Sequence, residues 1–406
     1  MQLKTGINWV GLHSAKSGFG EAFRGNLRAC ESAGIPIQLY DARKPEQDRT
    51  AKYSINVVQL QLSLIPGFLD NYGHQFLENR YNIGYWVWET EEISDEFLEF
   101  AFLFDEIWTA SAYCQKAFAA RLKIPIVCIP HVAATDFVAD QEKPPVDIAA
   151  DKFVFLNIFD FGSLIERKNT LGLISAFELA FGSSNPAVLL LIKSSSADSY
   201  PDDKKLIADR IASSSNIRLI DEMFAREDLL RLINRCQCYV SLHRSEGFGL
   251  NLADAMAMGK PVIATGYSGN LEFMNVNNSL LVKYKLTLLE TALHPFPKNT
   301  SWATADVEHA AALMKVTRSG SPEIAEMNKR AQADIRTGYS SEAIGRIIKS
   351  RVKIIEGLAK RSNTSDDLRT VLAENVIMKK RIAKFEKSLF FKMKKSVNQI
   401  LSRIKR

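Results

Sequence analysis

The sequence predicts an α/β protein of two Rossmann-like doubly wound domains that face a cleft, with a basic amphipathic helix at the C-terminal end. Three observations carry this. Strand-like apolar runs alternate with helical patterns through the first third of the chain. The alternation halts at a polar stretch holding Pro144 and Pro145, and then restarts. At 406 residues the chain is also too long for one ordinary domain.

Taken in order, GINWVGL is the first strand, and it runs into the small, polar HSAKSGFGE. The helical pattern FRGNLRACESAG follows and stops at Gly34, a C-terminal cap. IPIQLYD, INVVQLQL and NIGYWVWE are further strands, a helix runs from about Ser94, and FDEIWTAS and IPIVCIP are strands again. Ala133–Asp151 reads as a linker. Beyond it FVFLNIFD, AVLLLIK, IRLID, CYVSLH and KPVIAT are strands. NTLGLISAFELAF and LNLADAMAMG are helices, the second closed by Gly259, and Asp306 to about Leu358 is mainly helical. Alternating strands and helices call for parallel sheets covered by helices. The expected division is 1–135 and 151–330 for the two domains, 331–360 for a helical return segment and 361–406 for a basic helical tail.

Composition narrows the class. Hydrophobic residues make up 46% and charged residues 24%, as in folded globular proteins. No run of apolar residues reaches the length of a membrane span, and Met1–Val10 carries no secretory pattern, so a cytoplasmic protein is expected. The five cysteines are scattered, which fits reduced thiols. Cys236 and Cys238 are two apart in one expected strand, so both sulfurs are expected on one face, as core residues and not as metal ligands. The net charge of +6 is uneven. Residues 377–406 hold 11 Lys and Arg and one acid, so the remainder is mildly acidic. A nucleic-acid-binding body is therefore not expected.

Ligands of open parallel sheets sit at the carboxyl ends of strands, and three such places stand out. Gly18-Phe19-Gly20 allows close backbone approach at a helix start, although a tight turn alone would explain it. Arg167 and Lys168 sit where a helix begins, against the usual preference for acids there, so a bound anion such as a diphosphate would resolve the conflict. Lys193 ends a strand nearby and is either a second cation or a strand terminator. In SEGFGLNLAD, a glycine-rich turn offers free amides, and Glu246 and Asp254 lie eight residues apart. Two such carboxylates suit vicinal hydroxyls of a hexose and a ribose, unless they are ordinary helix acids.

At these residues a resemblance emerges. SEGFGLNLADAMAMGKPVIATGYSGNLEF resembles the donor-site signature of retaining glycosyltransferase family 4, which has the GT-B fold. FDFGSLIERKNTLGLISAF is similar to its phosphate-binding segment, and SGFGEAFR with NIGYWVWETEEISDEF resembles a bacterial polysaccharide and O-antigen-type branch. The resemblance implies a first domain for the acceptor and a second for the nucleotide sugar. It further implies that Glu246 contacts the transferred sugar, that Lys168 and Arg167 hold the diphosphate, and that Asp254 holds the ribose although the family has Glu there. Phe248, Gly249, Leu250 and Asn251 would supply backbone contacts, and Gly18 and Gly20 would line the cleft. The family's His-Asp pair is replaced by Trp88-Glu89, which makes Glu89 the polar group near the transferred carbon. Trp88 is a sugar-stacking ring or a core residue, His131 a cleft or structural residue, and His243 a residue shaping the pocket.

The reading that follows is transfer of a hexose from GDP-mannose or a UDP-sugar to a glycan or lipid-linked acceptor, with retention and without metal or other cofactor. The alternatives are a non-catalytic nucleotide-sugar-binding subunit and a sugar-nucleotide epimerase. In the tail, Met378, Ile382, Phe385, Leu389, Met393, Val397, Ile400 and Ile404 recur at helical spacing opposite a Lys/Arg face. That suits an anionic membrane surface, or else a helix that sets an oligomer.

Overall fold

The structure is a computed structural model, and it describes residues 4–43, 50–138, 144–359, 371–372 and 374–379. The first half contains β1 (Lys4–Gly11), α1 (Gly18–Ser32), β2 (Ile37–Asp41), β3 (Tyr53–Val58), α2 (Ile65–Tyr72), β4 (Tyr81–Tyr85), α3 (Asp95–Leu98), β5 (Glu106–Thr109), α4 (Ala112–Ala119) and β6 (Ile126–Cys128). All strand pairs here are parallel, and the sheet order is β2-β1-β3-β4-β5-β6. Its register is marked by a buried ladder of amides. Asn8 Nδ2 donates to Asn56 Oδ1 at 2.8 Å, and Asn56 Nδ2 donates to Asn82 Oδ1 at 2.7 Å. These three residues are direct partners across β1, β3 and β4. A one-residue slip would leave their buried amides unpaired.

The second half contains β7 (Phe153–Ile158), α5 (Ile165–Lys168), α6 (Thr170–Phe181), β8 (Val188–Ser194), α7 (Pro201–Ile211), β9 (Ile217–Asp221), α8 (Arg226–Arg235), β10 (Cys238–Ser241), α9 (Leu250–Ala257), β11 (Val262–Thr265) and β12 (Leu280–Val282). Its parallel sheet runs β12-β11-β10-β7-β8-β9. Both sheets are doubly wound, so each has one point where the strand order reverses. It lies between β1 and β3 in the first and between β7 and β10 in the second. The chain continues through an antiparallel hairpin, β13 (Tyr284–Leu288) and β14 (Ser301–Ala305), and then α10 (Val307–Ser319), α11 (Pro322–Gly338) and α12 (Ser341–Ala359). α12 returns to the first half and packs on α1. It is tied there by Arg351, whose Nε donates at 2.9 Å to the fully buried carboxylate of Glu106.

The two-sheet reading holds, and several local expectations do not. The strand at NIGYWVWE ends at Tyr85, because the last pairing with β5 is Tyr85 with Trp108. The helix from Ser94 is a single turn, α3, followed by a 3-10 turn over Ala101–Leu103. Ser94 makes no side-chain cap, and the buried anchors Ile93, Phe100, Leu103 and Phe104 hold an irregular segment on the core. Cys236 and Cys238 do not share a face. Cys236 closes α8 and packs with Tyr239, whereas Cys238 lies in β10 and packs with Val240 on the other side of the sheet. The hairpin β13–β14 and helix α8 were not expected. The basic amphipathic tail lies outside the described residues apart from 377–379. Residues 374–379 are helical, and Val376 and Ile377 pack against the hydrophobic cluster of the first half. Among the described residues no helix is long and apolar enough to cross a membrane.

Candidate active site

The two strand-order reversals face each other across a cavity of about 930 Å³. Loops after β1 and β3 bring Gly18, Leu60 and Leu62 to it, and loops after β7 and β10 bring Arg167, Lys168 and Glu246. The topology thus assembles residues about 80 positions apart at one point, as expected for crevices at a switch point.

α5 is held by unusual backbone. Leu164 before it (φ 63°) and Asn169 after it (φ 52°) are both left-handed without being glycine. Such conformations cost about 1–3 kcal/mol each and cluster at functional sites. Asn169 is fixed by donating from Nδ2 to Leu242 O at 2.8 Å. Upstream, Asp160 accepts from Gly162 N at 2.8 Å and from the hydroxyls of Ser195 and Ser196 at 2.6 and 2.7 Å. The outcome is that the single turn of α5 aims both its cations at the loop after β10.

There Lys168 Nζ is hydrogen-bonded to Glu246 Oε1. Arg167, only 4% exposed, donates from Nη1 to Ser245 O at 2.9 Å and lies 3.5 Å from Glu246 and 3.6 Å from Glu89. Burial works to raise the Glu246 pKa, but Lys168 and Arg167 outweigh it and bring it down from 4.5 to about 2. Burial lowers the Lys168 pKa, and the Arg167 charge beside it adds to that. Two cations and two carboxylates, Glu89 and Glu246, therefore share one partly buried spot with their charges matched.

The loop of Glu246 is gripped from both sides. Glu246 N donates to Ser268 Oγ at 2.8 Å, and Ser111 Oγ of the first half donates to Gly247 O at 2.7 Å. Gly247 has to be glycine, because a Cβ there would lie 2.3 Å from Val87 Cγ1. Beyond the loop α9 starts at Leu250 without a side-chain cap, and Leu250 and Asn251 line the cavity. Leu252 N donates to Gly249 O at 2.9 Å, which leaves the amides of Leu250 and Asn251 to meet an anion.

His131 also lines the cavity. Its ring stacks on Tyr85 and meets Phe248 edge-on. The Tyr85 hydroxyl donates to Ile129 O at 2.6 Å and sits 3.0 Å from His131 Nδ1, so Nδ1 carries the proton and Nε2 the lone pair. Burial lowers the His131 pKa to about 3, so the ring is neutral.

The structure therefore brings together Glu246, Lys168, Arg167, Glu89, Gly18, Phe248, Gly249, Leu250, Asn251, Trp88 and His131. Four expected residues lie elsewhere. Gly20 is buried in α1, where a Cβ would meet Ala15 O at 2.0 Å, so it serves the turn and not the cavity wall. Lys193 is buried with its ammonium 5.1 Å from the Phe224 ring. Asp254, one turn into α9 from Leu250, is fully buried and does not line the cavity; it is paired with Arg226 at 2.8 Å and accepts from Ala134 N at 2.9 Å. His243 lies behind the loop, bonded to Ser241 and Asn270. Trp88 reaches the wall, but its ring is packed against Phe97 and Phe296 and its Nε1 donates to Thr90 Oγ1 and Glu92 O.

Sequence reasoning missed Asp160, Ser163, Leu164 and the hairpin residues His294–Phe296, all of which line the cavity. Asp160 had a signal, an acid directly after a strand. The hairpin residues had none, since nothing local says that a loop will cross to the other half.

Comparison with solved structures places the fold. HepE of Anabaena, in a structure with UDP and glucose, superposes with a TM-score of 0.59 at 14% identity, over 86% of this chain and 100% of that one. A glycosyltransferase of Rickettsia africae gives 0.64 at 14% identity over 89% and 100%, and sucrose-phosphate synthase of Thermosynechococcus elongatus gives 0.63 at 14% over 87% and 100%. The two Rossmann-like sheets thus adopt the GT-B architecture of glycosyltransferases. No curated protein matches the chain. Residues 138–285, the segment that supplies Arg167, Lys168 and Glu246, match the family described as Glycosyl transferases group 1.

Proposed function

We propose that this protein transfers a hexose from a nucleoside diphosphate sugar to a hydroxyl of a glycan or lipid-linked acceptor. The observation that carries the reading is the Lys168–Glu246–Arg167–Glu89 cluster at the second switch point, facing the loops of the first. When the diphosphate departs, negative charge grows on its oxygens and positive charge on the anomeric carbon. Lys168, Arg167 and the first amides of α9 are placed to stabilise the former, as preorganised cations and dipoles do. Glu246 orients Lys168 and accepts from sugar hydroxyls, while Glu89 holds the polar position beside the transferred carbon. His131, neutral, offers Nε2 to a sugar hydroxyl.

The acceptor attacks from the face the diphosphate leaves, with retention. Lys168 and Arg167 take the charge-balancing role that a metal fills in other transferases. UDP is favoured over GDP as the carrier, because the HepE structure holds UDP and glucose. The membrane-association reading of the tail rests on its sequence alone, with oligomer formation as the other outcome, and with it the placement at the inner face of a cytoplasmic membrane in polysaccharide or lipopolysaccharide synthesis.

One observation favours a second reading, a nucleotide-sugar-binding subunit without turnover. Asp254, the expected ribose ligand, is sealed by Arg226. The test is a thermal-shift titration with UDP, GDP and their hexose conjugates, followed by donor turnover. One nucleoside diphosphate should raise the melting temperature, and Lys168→Ala should abolish that shift. Binding without any donor turnover would establish the second reading, and no binding would remove both.

A further inference from the structure

Resting on that transferase reading, the cavity also carries information about the acceptor. Its lining is divided. Asn157, Asp160, Ser163, Arg167, Lys168 and Glu246 make the second-half wall polar. The first-half wall carries an apolar strip of half-buried Leu62, Pro66 and Phe97, backed by buried Leu60 and Trp88 and closed by Phe296 from the hairpin loop, with Ser17, Gln61 and Ser63 as its uncharged polar members. Among the described residues of that wall there is no Lys or Arg. Its acids are Glu89, paired with Arg167, and Glu96 at the exposed rim.

The wall is also not a platform for sugar stacking. A ring that stacks on a sugar needs a free face. Trp88 is only 5% exposed, with Phe97 at 4.6 Å and Phe296 at 5.5 Å between ring centres. Its Nε1 is taken by Thr90 and by Glu92 O. What remains towards the cavity is half-buried hydrocarbon from Leu62, Pro66 and Phe97, beside the exposed but uncharged Ser17, Gln61 and Ser63. Apolar surface left beside a polar site gains most from an apolar ligand group. This wall is continuous with the reaction site, since Val87 and Glu89 belong to the same stretch as Trp88 and Val87 touches the glycine of the Glu246 loop.

We propose that the acceptor subsite takes an amphiphile, a neutral hydroxylated head with an alkyl or aryl group attached, the apolar group lying along Leu62, Pro66 and Phe97. The head sits at Glu89 and His131 with its hydroxyl towards the donor. No cation on this wall selects for a phosphate there.

The test compares hexyl with methyl glycosides of glucose, galactose, mannose and N-acetylglucosamine, titrated calorimetrically into the full chain with and without UDP. At least one hexyl glycoside should bind tenfold or more tightly than its methyl partner. Leu62→Asp should bring the two within threefold of each other, with a UDP titration of that variant reporting that it is folded. Equal affinity of hexyl and methyl forms, or no binding of any hexyl form, overturns the proposal. Donor turnover is followed separately, so loss of the transferase reading is told apart from loss of the apolar subsite. A dodecyl glycoside in phosphatidylcholine vesicles then separates the sources. Turnover there marks a bilayer-borne acceptor, and turnover confined to free hexyl glycoside marks a soluble one.

Discussion

Glu246 is an acid whose charge the fold protects. Its pKa is brought from 4.5 to about 2, which amounts to about 3 kcal/mol favouring the ionised form in the folded chain. The sign follows from the direction. A depressed carboxylate contributes stability that is fully present above its unfolded pKa and is lost as pH falls through the folded one. Wild-type protein should therefore lose about 3 kcal/mol between pH 4.5 and 2 that Glu246→Gln does not lose, read by denaturant unfolding across that range. Parallel pH profiles would mean that Lys168 and Arg167 do not hold this acid. At neutral pH the variant leaves Lys168 and Arg167 facing each other with less compensation, so its donor turnover should fall by two orders of magnitude or more. The motif SEGFG made Glu246 visible in the sequence, because it lies in a glycine-rich turn after a strand. The same logic offered Asp254 as the ribose ligand, and Asp254 is not among the residues that line the cavity. It lies eight positions after Glu246, the first of them in the loop before α9, and only the fold shows that Arg226 pairs with it.

At the level of elements, alternation of apolar runs and helical periods identified most strands of both sheets. The two strands of the hairpin escaped it for one reason. β13 is exposed along its whole length and β14 packs against neighbours brought by tertiary contact, so neither shows the buried periodicity that marks a strand. α12 shows the opposite case. Its pattern was read as helix, but its place on the first half depends on Arg351 meeting Glu106, 245 residues earlier. Glu106 is fully buried and also accepts from Trp108 Nε1 at 2.5 Å. Removing the arginine leaves a buried carboxylate without its cation, which costs about 3–5 kcal/mol. Arg351→Ala should lower stability by that order in urea unfolding. Adding Glu106→Gln should recover much of it, because the orphaned charge is gone. Failure of the second substitution to recover anything would assign the loss to packing of the Arg351 stem instead.

The two halves meet around the cavity through charges as well as through the loop of Gly247. Glu21 on α1 binds Arg28 of its own helix at 2.8 Å and lies 3.5 Å from Arg226 on α8. Arg226 in turn pairs with Asp254. Glu21 is thus the only member of this triad from the first half. Glu21→Gln removes one of the charges that cross between the halves; Arg226 stays compensated by Asp254, and Arg24 and Arg28, which lose their counter-ion, are each about a third exposed to solvent. A hydrogen bond or close pair involving a charged group is worth about 1.5–3 kcal/mol, enough to shift an open–closed equilibrium tenfold or more. The donor cluster lies mainly within the second half, so nucleoside diphosphate affinity should stay within threefold of wild type. Transfer needs Gly18 and Glu89 brought against that cluster, so it should fall at least tenfold. Small-angle scattering should show a larger radius of gyration for the variant. An unchanged radius together with unchanged transfer would mean that the other contacts between the halves, among them Ser111 with Gly247 and Arg167 with Glu89, hold them together without Glu21.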